Sequence, residues 1–160
     1  MRKKYIIFTH IYYSIFSGGY DVNMTFVEHC LYEYKENKAS LEAMKFEVSD
    51  LKSVHGQNYD GHVINGVSDP VGDVTARIIA LEGRIARMER KVRGVERLRD
   101  DLKGSDLRYS QMRQILELKY INHEDNIEVQ ETIAISVSTF WRRVHDLLHI
   151  ARKYFSHTAT

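Results

Sequence analysis

The sequence predicts an all-α protein. An N-terminal helix and a heptad-bearing central helix form a helical hairpin or coiled coil, followed by a C-terminal three-helix, helix-turn-helix domain. Apolar residues recur at three- and four-residue spacings along most of the chain. Residues 124–155 have the pattern of two helices joined by a very tight turn. The length of 160 residues suits one domain, or a small domain with a helical extension.

Residues 1–23 begin with basic residues and continue with an aromatic and isoleucine run that ends at Ser17, Gly18 and Gly19. The run superficially resembles a secretory signal, but it lacks a small-x-small cleavage site. It is also far shorter than the roughly 20 apolar residues of a membrane span. Two glycines a few codons before Met24 are what a ribosome-binding site would encode if translated. We therefore predict a non-native leader and a natural start at Met24 or Val22.

Residues 24–55 predict one continuous amphipathic helix, because apolar residues follow three- and four-residue spacings and no proline interrupts them. Thr25 is expected to cap this helix, with Glu28 completing a capping box. The single cysteine, Cys30, is at an apolar position and is expected to be a small buried hydrophobe. One cysteine excludes an internal disulfide and a thiolate zinc site, and it indicates the reduced cytoplasm.

Residues 56–73 are expected to form a glycine-rich linker, since the stretch 55–72 holds four glycines and the only proline. The glycines do not follow a strand, so they do not indicate a phosphate-binding loop. Four side chains nearby are metal-ligand types, but they lack ligand spacing and are interpreted as loop polar residues. They are His55, Asp60, His62 and Asp69.

Residues 74–103 predict a central coiled-coil helix with a heptad seam about four repeats long, broken only by Arg99. The seam positions are Val71, Val74, Ile78, Leu81, Ile85, Met88, Val92, Val95, Arg99 and Leu102. Gly83 and Gly94 lie off this seam. The seam needs a partner helix, either residues 25–54 of the same chain or the same helix of a second chain. The central helix is also rich in arginine, which suits contact with a phosphate backbone.

Residues 104–156 predict the helix-turn-helix domain. Ser105 is expected to cap its first helix, which places Leu107, Met112, Ile115, Leu116 and Tyr120 on one side. Asp125 and Asn126 suit the start of a short scanning helix that buries Ile127 or Val129 together with Ile133. Ser136 is expected to cap a longer recognition helix. That helix buries Phe140, Val144, Leu147, Leu148 and Ala151.

Small polar residues followed one turn later by arginines are what a DNA-reading helix needs, because hydroxyls fit close to base edges and guanidinium groups reach guanine or phosphate. The predicted DNA-binding residues are Ser136, Ser138, Thr139, Trp141, Arg142, Arg143 and His145. Arg143 is assigned to phosphate, together with bases of the central helix. Trp141 is expected to pack at the edge of the core. His145 and His149 are four residues apart but lack a convincing third metal ligand, so they are expected to be solvated or phosphate-facing.

The sequence resembles a known family. The segment RQILELKY, a scanning helix and ISVSTFWRRV are similar to region 4 of sigma factors, and more specifically to the RinA/ArpU-like regulators of bacteriophages of Gram-positive bacteria. The likeness also includes residues 26–51 and 67–92, so it extends over about 24–155. It implies promoter binding in the host bacterial cytoplasm that activates late phage genes.

Carried residue by residue, the family pattern assigns Val129 and Ile133 to the scanning helix, and Ile135 and Ser136 to the turn. It assigns Thr139 and Phe140 to the start of recognition, followed by the usual aromatic-arginine pair at Trp141 and Arg142. The chain departs from that pattern at four positions. Gln130 and Ala134 replace the more usual alanine and glycine, and Glu128 and Glu131 make the scanning helix acidic.

The leading hypothesis is a homodimeric regulator that binds double-stranded DNA, and possible contact with host RNA polymerase follows from the sigma-like domain. A small-terminase-like packaging protein is an alternative, although such proteins generally place the DNA reader before the oligomerising helices. A coiled-coil module that binds RNA polymerase without touching DNA is another. No enzyme, cofactor, metal, small-molecule substrate or membrane association is expected, because no suitable side-chain constellation appears.

Overall fold

The computed structural model describes residues 22–57 and 70–155, and these residues are helical apart from short turns. The elements are α1 (Val22–Tyr32), α2 (Tyr34–Gln57), α3 (Pro70–Asp101), α4 (Leu107–Ile115), a π-helical turn (Leu116–Ile121), α5 (Asn126–Ile133) and α6 (Val137–Phe155). The predicted all-α class is confirmed. Most of the predicted leader, residues 1–21, lies outside the described residues, as does the centre of the linker, residues 58–69.

The N-terminal segment is helical as predicted, but it is divided into α1 and α2 by a turn at Glu33. The Glu33 amide still donates to the His29 carbonyl at 3.0 Å, and the Asn37 amide donates to the Glu33 carbonyl at 2.7 Å, so the interruption is confined to one residue. It coincides with a change of packing partner, since α1 lies against α6 and the π-helical turn whereas α2 lies along α3. The capping role predicted for Thr25 is wrong, because α1 is already helical at Val22.

The α2 and α3 helices form an antiparallel hairpin, which identifies the partner of the heptad seam. Because α2 of the same chain covers this seam, the seam itself no longer requires a second chain. Its last part differs from the prediction, since Leu98 is fully buried where the predicted seam has Arg99. The hairpin helices are also longer than expected. Gln57 and Pro70–Asp73 are helical, so the predicted linker 56–73 is too long at both ends.

The main hydrophobic core joins the C-terminal helices to α1 and to the end of α3. Its buried side chains include Leu31 of α1, Leu98 of α3, Ile115 of α4, Val129 of α5 and Phe140 of α6. The boundary predicted at residue 104 therefore does not separate two cores. The three-helix unit expected there is built on a wall that α1 and α3 provide. None of the described helices is both long and apolar enough to cross a membrane.

The start of α4 corrects two predictions. Asp106, and not Ser105, caps the helix, because its carboxylate accepts a hydrogen bond from the Arg108 amide at 3.1 Å. Leu107 is 70% exposed, so it does not join Met112 and Ile115 in the core. The α-helix then widens into the π-helical turn, which keeps Leu116 and Tyr120 buried.

Gly94 is off the heptad seam, as predicted, but it is buried where the C-terminal end of α6 crosses α3. A Cβ atom there would lie 2.7 Å from Cε1 of Phe155, well inside van der Waals contact. Phe155 is itself only 2% exposed, so its ring has little room to move away. Gly83, in the same helix, has nothing within 4 Å of its Cβ direction. Gly94 is therefore required by close helix packing, and Gly83 is not.

This contrast predicts opposite effects for two alanine substitutions in α3. Gly83→Ala should raise the free energy of unfolding by about 1 kcal/mol, because alanine favours a helix interior by that amount. Gly94→Ala should lower it by about 1–3 kcal/mol, because overpacking outweighs the gain in propensity. Urea denaturation of the full chain measures both. Equal stabilisation by the two substitutions would show that α6 does not approach α3 this closely.

Candidate nucleic-acid interface

The joint between α5 and α6 is closed by local hydrogen bonds. The Asp125 carboxylate caps α5 by accepting from the amides of Ile127 at 2.8 Å and Glu128 at 2.9 Å, which confirms the predicted start. At the other end the Ile135 amide donates to the Gln130 carbonyl at 3.2 Å. Ala134 has the left-handed conformation, with a φ of 56°. This is the position that glycine commonly occupies after a helix.

Ser136 caps α6, as the sequence predicts. Its Oγ accepts from the Thr139 amide at 3.3 Å and lies 3.0 Å from the Thr139 hydroxyl and 3.2 Å from the Ser138 hydroxyl. The short turn is thereby fixed, and the three hydroxyls form one exposed cluster at the amino end of α6. Ser138 is exposed and Thr139 is half-buried, so Ser138 is the more accessible of the two.

One face of α6 is apolar and sealed in the core, while the opposite face is polar and exposed. The buried face consists of Phe140, Val144, Leu147, Leu148, Ala151 and Phe155. The opposite face, which we name the polar stripe, consists of Ser138, Arg142, His145, His149 and Lys153. Spacings of three and four residues place the members of the polar stripe above one another. All five are exposed, and none carries a carboxylate.

Arg142 is the most available cation of the polar stripe. It makes no hydrogen bond, ion pair or ring contact with any residue in the described ranges. One turn further along α6, the His145 and His149 rings are nearly parallel, with centroids 6.4 Å apart. The sequence interpretation has His149 as a solvated or phosphate-facing residue, and it does not assign Lys153 to the site. The four-residue step from His149 to Lys153 is the signal that could have identified Lys153.

Arg143 is held inside the protein, which does not fit its predicted phosphate contact. Its side chain is only 16% exposed, and its Nε donates to Oε1 of Gln111 on α4 at 2.9 Å. Its guanidinium also lies 3.4 Å from the Asp146 carboxylate, which Arg108 approaches at 3.0 Å. Arg143 therefore fixes α6 against α4. In the sequence it could not be distinguished from Arg142, because both follow the same polar turn.

Trp141 packs at the core edge, as predicted, with its ring edge-on to Phe140 at 5.2 Å. It also borders a buried lysine that the sequence did not reveal. Lys119 is 3% exposed, and its Nζ lies between 5.2 and 5.8 Å from the ring centres of Tyr32, Tyr120 and Trp141. Nζ donates to Oδ1 of Asn126 at 2.9 Å. Lys119 thus connects α1, the start of α5 and α6.

The exposed side of α5 differs from the polar stripe in both charge and polarity. Glu128 and Glu131 are exposed there, and Ile127 is 67% exposed. Together with Val137, which is 54% exposed, Ile127 and Glu131 line a groove of about 370 Å³ at the turn. An acidic and apolar surface repels phosphate, so α5 is not a backbone contact of the expected kind.

The described residues contain no group of three or more histidine, cysteine, aspartate or glutamate side chains that could hold a metal ion. Comparison with protein-family models, with characterised proteins and with solved structures finds no match. The family resemblance seen in the sequence therefore stays a prediction. The case for a function depends on the exposed residues of α6 and their surroundings.

The conformation of Ala134 predicts that glycine is the better residue there. The left-handed region costs an L-residue roughly 1–2 kcal/mol, and glycine avoids this cost. The greater conformational entropy of glycine in the unfolded chain offsets part of that gain. Ala134→Gly should therefore raise the free energy of unfolding by about 1 kcal/mol in urea denaturation. Ala86→Gly, at an exposed position inside α3, is the matched control and should lower it by about the same amount. Parallel losses in both variants would contradict the left-handed turn.

Burial lowers the pKa of Lys119 below its ordinary value of 10.5, an effect that the nearby Glu28 carboxylate opposes. The folded protein therefore gives up this proton more readily than the unfolded chain does. The contribution of Lys119 to the free energy of unfolding therefore rises with pH between its folded-state pKa and 10.5. Lys119→Met has no such titration, so the wild type should gain stability relative to this variant as the pH becomes alkaline. Urea denaturation across pH tests this, and a constant difference would contradict it.

Proposed function

We propose that the protein is a sequence-specific, DNA-binding transcription regulator that inserts the amino-terminal half of α6 into the major groove of double-stranded DNA. The single observation that carries the proposal is the polar stripe, which leaves hydroxyl, guanidinium and imidazole groups exposed on one face without a carboxylate. A helix presented in this way, after a short turn and a supporting helix, matches the docking geometry of helix-turn-helix proteins.

Within the polar stripe the residues nearest the turn are assigned to base reading. Ser138 is short and can approach a base edge closely, whereas Arg142 can form a bidentate contact with guanine. Arg142 suits this role because no described residue engages its guanidinium. His145 follows on the same face and completes the base-reading group. His149 and Lys153, further from the turn, are assigned to the phosphate backbone.

Three other residues predicted to bind DNA are assigned a positioning role, because they hold α6 in place. Ser136 holds the first turn of α6, and Trp141 supports that turn from the core edge. Arg143 orients α6 by its contacts with Gln111 and Asp146. The direction of the polar stripe thus depends on side chains that need not touch DNA. Their loss should weaken binding to every sequence, whereas the loss of a base reader should alter sequence preference.

The resemblance to phage regulators supports the more specific proposal of a promoter-binding activator of late phage genes. The acidic and apolar side of α5 favours a further protein contact there, for which host RNA polymerase is the proposed partner. Glu131 and Ile127 are the residues that favour this contact, since both are exposed at the turn groove. A homodimer also stays part of the proposal, although the heptad seam no longer supports it.

The proposal predicts that Arg142→Ala weakens binding to a preferred duplex by about 1–3 kcal/mol and relaxes the preference at one position. Preferred duplexes are first selected from a random pool with the purified wild-type chain. Fluorescence anisotropy then compares preferred and shuffled duplexes for each variant. Arg113→Ala, an exposed arginine of α4 outside the polar stripe, removes the same charge and serves as the control.

The control variant should retain the preference of the wild type. A uniform loss on preferred and shuffled duplexes in Arg142→Ala would reassign Arg142 to the phosphate backbone. Selection that enriches no sequence at all would contradict the proposed regulator.

A further inference from the structure

The hairpin contains a regular ladder of interhelical ion pairs. Lys38, Lys45 and Lys52 are spaced seven residues apart on α2, and Glu82, Glu89 and Glu96 are spaced likewise on α3. They pair in antiparallel order, with N–O distances of 2.8 Å for Lys52 and Glu82, 3.0 Å for Lys45 and Glu89, and 3.5 Å for Lys38 and Glu96. The lysines of α2 thereby engage the three glutamates in the middle of α3.

The ladder leaves the arginines of α3 without matching acids. Arg84, Arg87, Arg90 and Arg97 are all exposed, and none forms an ion pair, hydrogen bond or ring contact with the described part of the chain. The bases near them are engaged elsewhere. Arg93 pairs with Glu89 at 2.8 Å, and the Lys91 Nζ lies 5.9 Å from the centre of the Phe26 ring. Four cations are therefore available on the outside of the hairpin, and we name them the arginine row.

The arginine row extends along α3, with members on both sides of the place where the end of α6 meets this helix. Arg84, Arg87 and Arg90 follow three-residue spacing, so successive side chains are neighbours, each about 60° further round the helix. Arg97 lies seven residues beyond Arg90 on nearly the same line, and the whole row spans about 20 Å along the axis while turning about 140° around α3. Gly94, between Arg90 and Arg97, is where Phe155 at the end of α6 meets α3. Arg90 and Arg97 thus lie on either side of this contact, which the buried face of α6 makes.

We infer that the arginine row is a second DNA-binding surface, which holds the phosphate backbone without regard to sequence. This inference rests on the proposed function, because a sequence-independent hold on the phosphate backbone serves a protein that reads DNA bases through α6. Guanidinium groups bind phosphate oxygens through paired N–H donors, and four of them over this length suit a regularly charged strand. A duplex offers one negative charge per about 1.7 Å of axis, so neighbouring arginines of the row can each meet a phosphate.

The test uses the full chain with all four arginines changed to glutamine: Arg84→Gln, Arg87→Gln, Arg90→Gln and Arg97→Gln. The matched control replaces the same residues with lysine, which keeps the charge. Affinity for a preferred and a shuffled duplex of equal length is measured by anisotropy over a series of KCl concentrations. The glutamine variant should lose affinity by the same factor on both duplexes. Its slope of log affinity against log salt should become shallower by about 0.9 for each phosphate that the protein no longer neutralises.

The lysine control should retain most of the wild-type slope. An unchanged slope in the glutamine variant overturns the inference and redirects the arginine row to an acidic protein partner. A loss restricted to the preferred duplex also overturns it, since that result would make these arginines base readers. Thermal melting checks folding first. If the fourfold variant is unstable, the paired variants Arg84→Gln with Arg87→Gln and Arg90→Gln with Arg97→Gln each test half of the row.

Failure of the inference is distinguishable from failure of the proposed function. Arg142→Ala is measured in parallel on the same two duplexes. A shallower salt slope in the glutamine variant, with no change of preference in Arg142→Ala, would support the arginine row and reject base reading by Arg142. A change of preference in Arg142→Ala with an unchanged slope in the glutamine variant would give the reverse result.

Discussion

The burial of one face of α6 is the constraint on which the rest of the structure depends. Phe140, Val144 and Leu147 are fully enclosed, and side chains of this kind each contribute about 1.5–3 kcal/mol when removed from water. Because α1, α3 and α4 together enclose that face, the opposite face of α6 is necessarily directed to solvent. The polar stripe is a consequence of how α6 is packed, and its composition determines what it can bind.

The hairpin contributes in two different ways. Its base supplies part of the wall against which α6 packs, through Val95, Leu98 and the close approach at Gly94. The ion-pair ladder between α2 and α3 runs along the hairpin. Exposed pairs of this kind contribute little stability individually. Their larger effect is on the charge of the surface. The glutamates of α3 pair with the lysines of α2, so these carboxylates do not neutralise the arginine row.

The sequence allowed the helical class, the antiparallel hairpin as one alternative, and the caps at Asp125 and Ser136 to be predicted, because periodicity and capping are local properties. Tertiary packing determined what could not be predicted. The interruption at Glu33 coincides with a change of packing partner between α1 and α2, and no local signal marks it. The burial of Lys119 among aromatic rings and the internal role of Arg143 likewise depend on residues distant in sequence. The family resemblance could not predict the burial of Lys119 or the internal role of Arg143.

The most direct test of the account is a backbone-amide NMR titration of the full chain with a duplex selected from a random pool. If α6 enters the major groove, the largest shift changes should fall on Ser138, Arg142 and His145, with smaller changes at His149 and Lys153. The amides of the core face, such as Val144, should change much less. Shift changes confined to α5, or spread evenly over the surface without a maximum in α6, would contradict the assignment of α6 as the DNA-reading helix.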